Sequence, residues 1–248
     1  YFLKARERDL MIFVSPNIYD SLKNIFRHID EVIEIQPLDI VYESINHHPD
    51  IFLFCGDEKI YISKEQYECI KDQLHPSLPI EVLENQLGYK YPETVSFNGL
   101  LLGRHFIHNL NYTSSVILED MKKMKKNLIH VKQGYTRCSA LPINDSSIIT
   151  SDAGIAKAVT SHGIDVCLIQ PRFILLPGQL YGFIGGTGGR VNDTIYFAGD
   201  ISKHPDCEKI KRFIYGKGLD IVYDSNYSLI DVGSILTFYG RKKIWTSN

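Results

Sequence analysis

The chain carries almost no excess of charge of either sign: 27 basic against 29 acidic side chains leave −2 over 248 residues. That excludes the broad positive field with which nucleic-acid-binding proteins meet phosphate, so no nucleic-acid partner is expected. The densest basic run, Lys122-Lys123 and Lys125-Lys126, follows Glu119-Asp120 and reads as the solvated face of a helix. Long apolar runs are missing as well. No stretch approaches the roughly 18 residues of a membrane-spanning helix, and no membrane partner is expected. Cysteines are few, odd in number and never spaced Cys-x-x-Cys: Cys55, Cys69, Cys138, Cys167 and Cys207. This argues against a disulfide framework and against structural zinc, and points to a reducing, cytoplasmic compartment. His47, His105, His108 and His130 lack metal-ligand spacing and read as strand or surface residues; neither metal nor cofactor is expected. The glycine-rich run Gly185-Gly186-Thr187-Gly188-Gly189 lacks the Lys-Ser/Thr of a phosphate-binding loop and leads into a strand pattern, so it reads as a hairpin turn.

What is present is repetition. At 44% hydrophobic, the chain can bury a sizeable core as a single domain, 1–248. Five units begin near residues 50, 98, 138, 185 and 233, and the last is completed by residues 9–37 at the other end of the chain. Each reads as a leading strand, a turn, a second strand, a helix and usually an apolar strand. Regular spacing at this scale means stacked or radially arranged units. Ser63-Lys64-Glu65-Gln66 is a capping pattern that opens a helix with Tyr67, Ile70 and Leu74 on its apolar face. Ser151-Asp152 opens a helix over 153–161 that stops at His162-Gly163, and the helix over 209–215 stops at Gly216 or Gly218. The apolar runs that follow, 165–169 and 220–223, predict buried strands. A further helix is expected from Asn17.

Five β-β-α-β units, one split between the termini, predict a closed ring rather than an open three-layer sheet. Pairing of 234–238 with 10–14 would leave no exposed inner edge. Such a ring resembles the five-bladed fold of the guanidino-group-modifying enzymes, the penteins: arginine and agmatine deiminases, dimethylargininases and amidinotransferases. His48-Pro49-Asp50, Tyr91-Pro92-Glu93 with Phe97-Asn98, Lys132-Gln133-Gly134-Tyr135 with Cys138-Ser139, Tyr181 to Gly186 and Asp231-Val232-Gly233-Ser234 are similar to an uncharacterised bacterial family assigned to that fold. That likeness spans about 46–240; the likeness to the enzymes themselves is remote.

In such a ring the first residues of the repeats converge at one end of the axis, where a small-molecule substrate would bind. Cys138 is the candidate nucleophile. It follows Lys132 and Arg137, and nearby cations lower a thiol pKa. The run from Lys132 to Ser139 also resembles the one that leads to the reactive cysteine of agmatine-deiminase-like enzymes. The plain alternative is a small apolar residue at a strand start. The resemblance implies that His48 acts as acid/base and that Asp50 holds a guanidinium; a turn before a strand would explain both residues equally. Glu93, Asn98, Gln133, Tyr135, Gly185 and Asp231 complete the candidate substrate-binding set, with Gly182 and Gly185 leaving room for a ligand at the axis. His204-Pro205-Asp206 reads as helix capping only. One departure is plain: the deiminases carry their cysteine in the final repeat, where this chain has Gly233-Ser234.

Three functions follow. The first is a hydrolase or transferase that acts on a guanidino, amidine or amide substrate through a cysteine. The second is a non-catalytic binding ring of the same fold, and the third an anion or nucleotide binder that uses the glycine run.

Overall fold

The computed structural model describes residues 8–241, so the two ends of the expected 1–248 domain lie outside the described residues. The N-terminal unit is β1 (Arg8–Val14), α1 (Asp20–Ile29) and β2 (Glu31–Glu34). The next is α2 (Pro49–Phe52), β3 (Leu53–Cys55), β4 (Ile60–Ser63), α3 (Lys64–Ile70) and β5 (Ile80–Leu83). It is followed by β6 (Leu100–Leu102), β7 (His105–His108), α4 (Ser115–Lys123) and β8 (Asn127–His130). Then come α5 (Thr136–Ser139), β9 (Ala140–Asn144), β10 (Ser147–Thr150), α6 (Ala153–Thr160) and β11 (Asp165–Leu168). The last are β12 (Gly188–Val191), β13 (Thr194–Phe197), α7 (Cys207–Tyr215), β14 (Asp220–Tyr223) and β15 (Leu236–Arg241).

These strands form five three-stranded sheets on one plan. An antiparallel pair supplies the inner and middle strands, and a helical crossover returns the outer strand parallel to the middle one. In the sheet that joins the termini, β1 lies between β15 and β2. Its antiparallel register with β15 runs from Arg8↔Arg241 to Phe13↔Leu236, which is the expected closure. The five inner strands surround an axial cavity of about 820 Å³, lined from each blade in turn by Leu53, Leu101, Ile143, Arg190 and Thr237 among others. The chain is a five-bladed β-β-α-β propeller.

Local signals explain most of the boundaries. The Ser63 side chain accepts a bond from the Gln66 amide at 3.3 Å, and Asp152 accepts from the Ile155 amide at 2.9 Å. Gly163 follows α6 with φ +79°, a left-handed stop that glycine adopts without strain. The helix expected from Asn17 starts instead at Asp20, because Ser15 takes the Asn17 and Ile18 amides into a turn. Beneath the helices, side chains such as Ile149, Ile195, Phe197 and Ile210 are fully buried. Burial of each is worth about 1.5–3 kcal/mol.

Two expectations need correction. The repeats at 50, 138 and 185 do not open on strands: Pro49–Phe52 and Thr136–Ser139 are helical turns and Gly185–Thr187 a 3-10 turn. Pro49 at the first helical position presets that turn, so the axis is ringed by turns rather than strand starts. The apolar strands β11 and β14 are half-exposed, because each is the outer strand of its sheet with one neighbour; the buried strands are the middle ones, β10 and β13. Among the described residues no helix is long and apolar enough to cross a membrane.

Neighbouring blades are also tied by charge. Asp120 on α4 accepts from the Tyr61 hydroxyl of β4 at 3.0 Å and pairs with Lys59 at 2.7 Å and Lys123 at 3.1 Å. The Lys59 hydrogen bond, chiefly, lowers its pKa to about 2, against about 4 for an unfolded aspartate. Its stabilisation is therefore complete above about pH 4 and is lost as pH falls toward 2. Asp120→Asn should lower the thermal midpoint at pH 7, with the deficit shrinking below pH 4; a deficit independent of pH would remove the charge-based account. Truncation after residue 225 deletes β15 and bares β1, so the cooperative unfolding transition should disappear. Retention of a wild-type transition would show that closure is dispensable.

Candidate active site on the propeller axis

Four blades bring their first residues together. His48 precedes α2 at its N-cap position and Asp50 lies within the helix; Asn98 precedes β6; Cys138 lies in α5; Asp231 and Ser234 lead into β15. All six are buried, Cys138 with 3% of its surface exposed and His48 with 1%. The Cys138 thiol donates to Asp50 Oδ2 at 3.0 Å, and the Ser234 hydroxyl donates to the same oxygen at 2.5 Å. Asn98 holds this arrangement in register. Its Oδ1 accepts from the Arg137 and Cys138 amides at 2.9 and 3.2 Å, while its Nδ2 faces Cys138 Sγ at 3.3 Å and the Asp50 carbonyl at 3.0 Å.

Asp231 accepts from the Phe183 and Gly233 amides at 2.9 and 3.0 Å, which fixes its carboxylate beside His48. The closest approach there is Asp231 Oδ1 to His48 Nδ1, at 3.8 Å. Neither ring nitrogen of His48 makes a hydrogen bond, nor does Asp50 Oδ1. Gly233 has φ +73°, and a Cβ there would strike the His48 side chain.

Burial dominates the electrostatics. It pushes the Cys138 thiol well above its ordinary range, and the Asp50 and Asp231 carboxylates push it further. It raises Asp50, raises Asp231 to about 6 and lowers His48 to about 4, so the imidazole is neutral near pH 7. The expectation of a depressed thiol pKa is therefore overturned. Lys132 is exposed, and Arg137 points its guanidinium at the Gly185, Gly188 and Ile235 carbonyls at 3.0, 3.2 and 3.4 Å.

Of the other candidates, Tyr135 stays close. Its hydroxyl joins those of Tyr42 and Thr94, both at 2.6 Å, in a half-buried chain, and burial chiefly raises its pKa. Glu93 is exposed in a turn, and Gln133 is spent on the Tyr135 amide and Asp152; neither joins the cluster. Gly185 does not leave room for a ligand. A Cβ there would meet the Arg137 and Cys138 carbonyls, so its space is filled by the neighbouring blade. The Asp206 carboxylate accepts from the Gln170 amide at 2.6 Å instead of capping α7. Ser234, absent from the candidate set, joins the cluster through Asp50, and the signal was its place in the Asp231-to-Ser234 run. Asp50 and Arg137 line the axial cavity, so the buried cluster and the cavity meet at these two residues.

A family model, the family of unknown function DUF6873, matches residues 13–236. The chain belongs to this family. No curated protein matches it. Among solved structures it is similar to DDAH from Pseudomonas aeruginosa, a cysteine-to-serine mutant complexed with citrulline: 8% identity, 94% of this chain and 98% of that one, TM-score 0.58. It is also similar to a dimethylarginine dimethylaminohydrolase adduct with S-methyl-L-thiocitrulline, at 8% identity over 94% and 100% of the two chains, TM-score 0.56. An amidinotransferase from Microseira wollei, of a saxitoxin biosynthetic pathway, matches at 11% identity over 88% and 89%, TM-score 0.50. At these identities the likeness establishes the fold, which is that of the guanidino-group-modifying enzymes.

The geometry makes Cys138 a sheltered, protonated thiol in the ligand-free chain. At pH 7 a small alkylating agent should modify the exposed Cys69 well before Cys138, and the Cys138 rate should rise only above the pH at which free cysteine ionises. Faster labelling of Cys138 than of Cys69 would contradict the assigned burial and charge.

Proposed function

We propose that this family member is a cysteine-dependent hydrolase or transferase that acts on the carbon–nitrogen bond of a small guanidino, amidine or amide compound. One observation carries the reading: Cys138 Sγ is hydrogen-bonded to Asp50 Oδ2 at 3.0 Å, beside a histidine with both nitrogens free. A planar amidinium meets carboxylates with paired N–H bonds, and Asp50 and Asp231 both face the cluster. The positive charge of such a substrate lowers the cost of forming a thiolate next to it.

The chemistry then closes on these groups. The thiol proton passes to Asp50 as sulfur attacks the amidinium carbon. The leaving nitrogen takes that proton from Asp50 and departs as ammonia or an amine, leaving the substrate carbon on sulfur, as an amidino group where the substrate is a guanidine. A water molecule, deprotonated by the neutral His48, attacks that carbon; the C–S bond breaks, the sulfur takes the proton back from His48, and a urea-type product leaves where the substrate is a guanidine. In a transferase an amine replaces the water. Cys138 is 3% exposed, so entry of a substrate requires surrounding residues to part.

A second reading, a non-catalytic binding ring, is favoured by the burial of Cys138, which pushes its thiol pKa up. Release of ammonia or urea from a panel of arginine-like and amidine compounds separates the two. Turnover should vanish in Cys138→Ser while ligand binding persists, and His48→Ala should cut the rate by about 10² or more. Binding without turnover anywhere in the panel favours the second reading, and turnover that survives Cys138→Ser ends the first.

A further inference from the structure

We propose that His48, Asp50 and Cys138 form a binding site for one zinc-type transition-metal ion, with a fourth coordination position left open. The three side chains each offer a ligand atom, and these atoms lie within 4.8 Å of one another. One imidazole, one carboxylate and one thiolate are a borderline-soft donor set that suits zinc or cobalt and disfavours magnesium or calcium. Bond lengths of about 2.0–2.3 Å put two ligands of one tetrahedral ion about 3–4 Å apart. The Cys138–Asp50 separation of 3.0 Å already falls at that spacing.

A second, independent observation points to a ligand. His48 is 1% exposed, yet neither ring nitrogen has a hydrogen-bond partner, and Asp50 Oδ1 has none either. Buried polar atoms are nearly always satisfied, and an imidazole left bare in the interior is costly. An ion bound through Nε2 satisfies the ring and leaves Nδ1 directed at Asp231 Oδ1, 3.8 Å away. A carboxylate on that side of a metal-bound histidine is placed to fix ring tautomer and orientation once a small shift brings it within hydrogen-bond distance. Asp231 is held in place by two backbone amides, and Asn98 Nδ2 faces the sulfur at 3.3 Å. The surroundings of the ligands thus stand without the ion, and small side-chain shifts would bring ligand atoms that lie up to 4.8 Å apart to tetrahedral spacing.

The charges balance. A thiolate and a carboxylate offset a divalent ion, and binding displaces the thiol proton into solvent. Metal on sulfur and attack by sulfur exclude each other, so an occupied site is a catalytically silent one. The inference needs only the ligand atoms and holds whether or not Cys138 is a nucleophile.

The test titrates the metal-free full chain, under reductant, with zinc and with cobalt. One ion should bind per chain with release of a proton, the cobalt form should show a thiolate-to-cobalt absorption band, and magnesium should not compete. The band should be lost in Cys138→Ser, affinity should fall at least about tenfold in His48→Gln and Asp50→Asn, and Cys69→Ser should change nothing. Should Cys138→Ser fail to fold, the unmodified protein still decides: zinc should slow alkylation of Cys138, mapped by mass spectrometry, and leave that of Cys69 unchanged. Absence of the band, its survival in Cys138→Ser, or unchanged Cys138 labelling overturns the proposal. None of these readouts uses turnover, so a chain that binds zinc yet releases no ammonia rejects the catalytic reading and keeps the metal site.

Discussion

Everything at the centre of this protein depends on the pairing of β15 with β1. Six register pairs, from Arg8↔Arg241 to Phe13↔Leu236, carry the last strand to the first and turn five sheets into a ring. Once the ring is closed, the five inner strands have no freedom to spread. Their leading residues are pressed together at the axis, although His48 and Ser234 are far apart in sequence. Convergence of His48, Asp50, Asn98, Cys138, Asp231 and Ser234 is therefore a consequence of closure.

Such convergence forces polar groups into a dry space, and most of the surrounding residues serve to satisfy them. Asn98 bonds to both the Asp50 and Cys138 turns, and so ties three blades with one amide. Arg137 spends its guanidinium on three carbonyls of the fourth and fifth blades, which join the axis with a charge that makes no hydrogen bond to Cys138. Gly185 and Gly233 lack side chains because neighbouring backbone and His48 occupy the space. With these groups accounted for, the bare imidazole of His48 and the free oxygen of Asp50 stand out as unspent capacity.

The repeat made the architecture legible. Spacing, capping at Ser63 and Asp152 and the split fifth unit led to the ring and its closure, because a unit that recurs along the chain shows its plan even where single copies are weak. The convergence of the cluster was legible only where position in the repeat decides it, as for His48, Asp50, Asn98, Cys138 and Asp231. Glu93 and Gln133 share that neighbourhood in sequence, but a turn and a half-buried bond to the Tyr135 amide keep them out of the cluster. The thiol pKa was misread for a related reason. Proximity in sequence placed Lys132 and Arg137 beside Cys138, whereas solvent draws the first away and backbone carbonyls hold the second. The helical turns before β3 and β9 escaped notice because four residues are too few to show a period.

The sign of the charge this cluster lacks can be argued without naming its ligand. Near neutral pH His48 is uncharged, the Cys138 thiol keeps its proton, and Asp50 and Asp231 bring carboxyl groups within reach of both. An anion placed there would meet carboxylates and an unionised thiol, with the guanidinium of Arg137 already committed. A cation would meet two carboxyl groups, a free imidazole nitrogen and a sulfur that becomes a better donor as it loses its proton. A guanidinium and a divalent metal are the two cations that match this set, the first by planar hydrogen bonds and the second by coordination. The glycine-run reading as an anion site has no matching feature: the amides of Thr187 and Ala198 are paired within the fourth blade, the carbonyls of Gly185, Gly186 and Gly188 accept from Arg137 and from residues 232–235, and free polar capacity lies on His48 and Asp50.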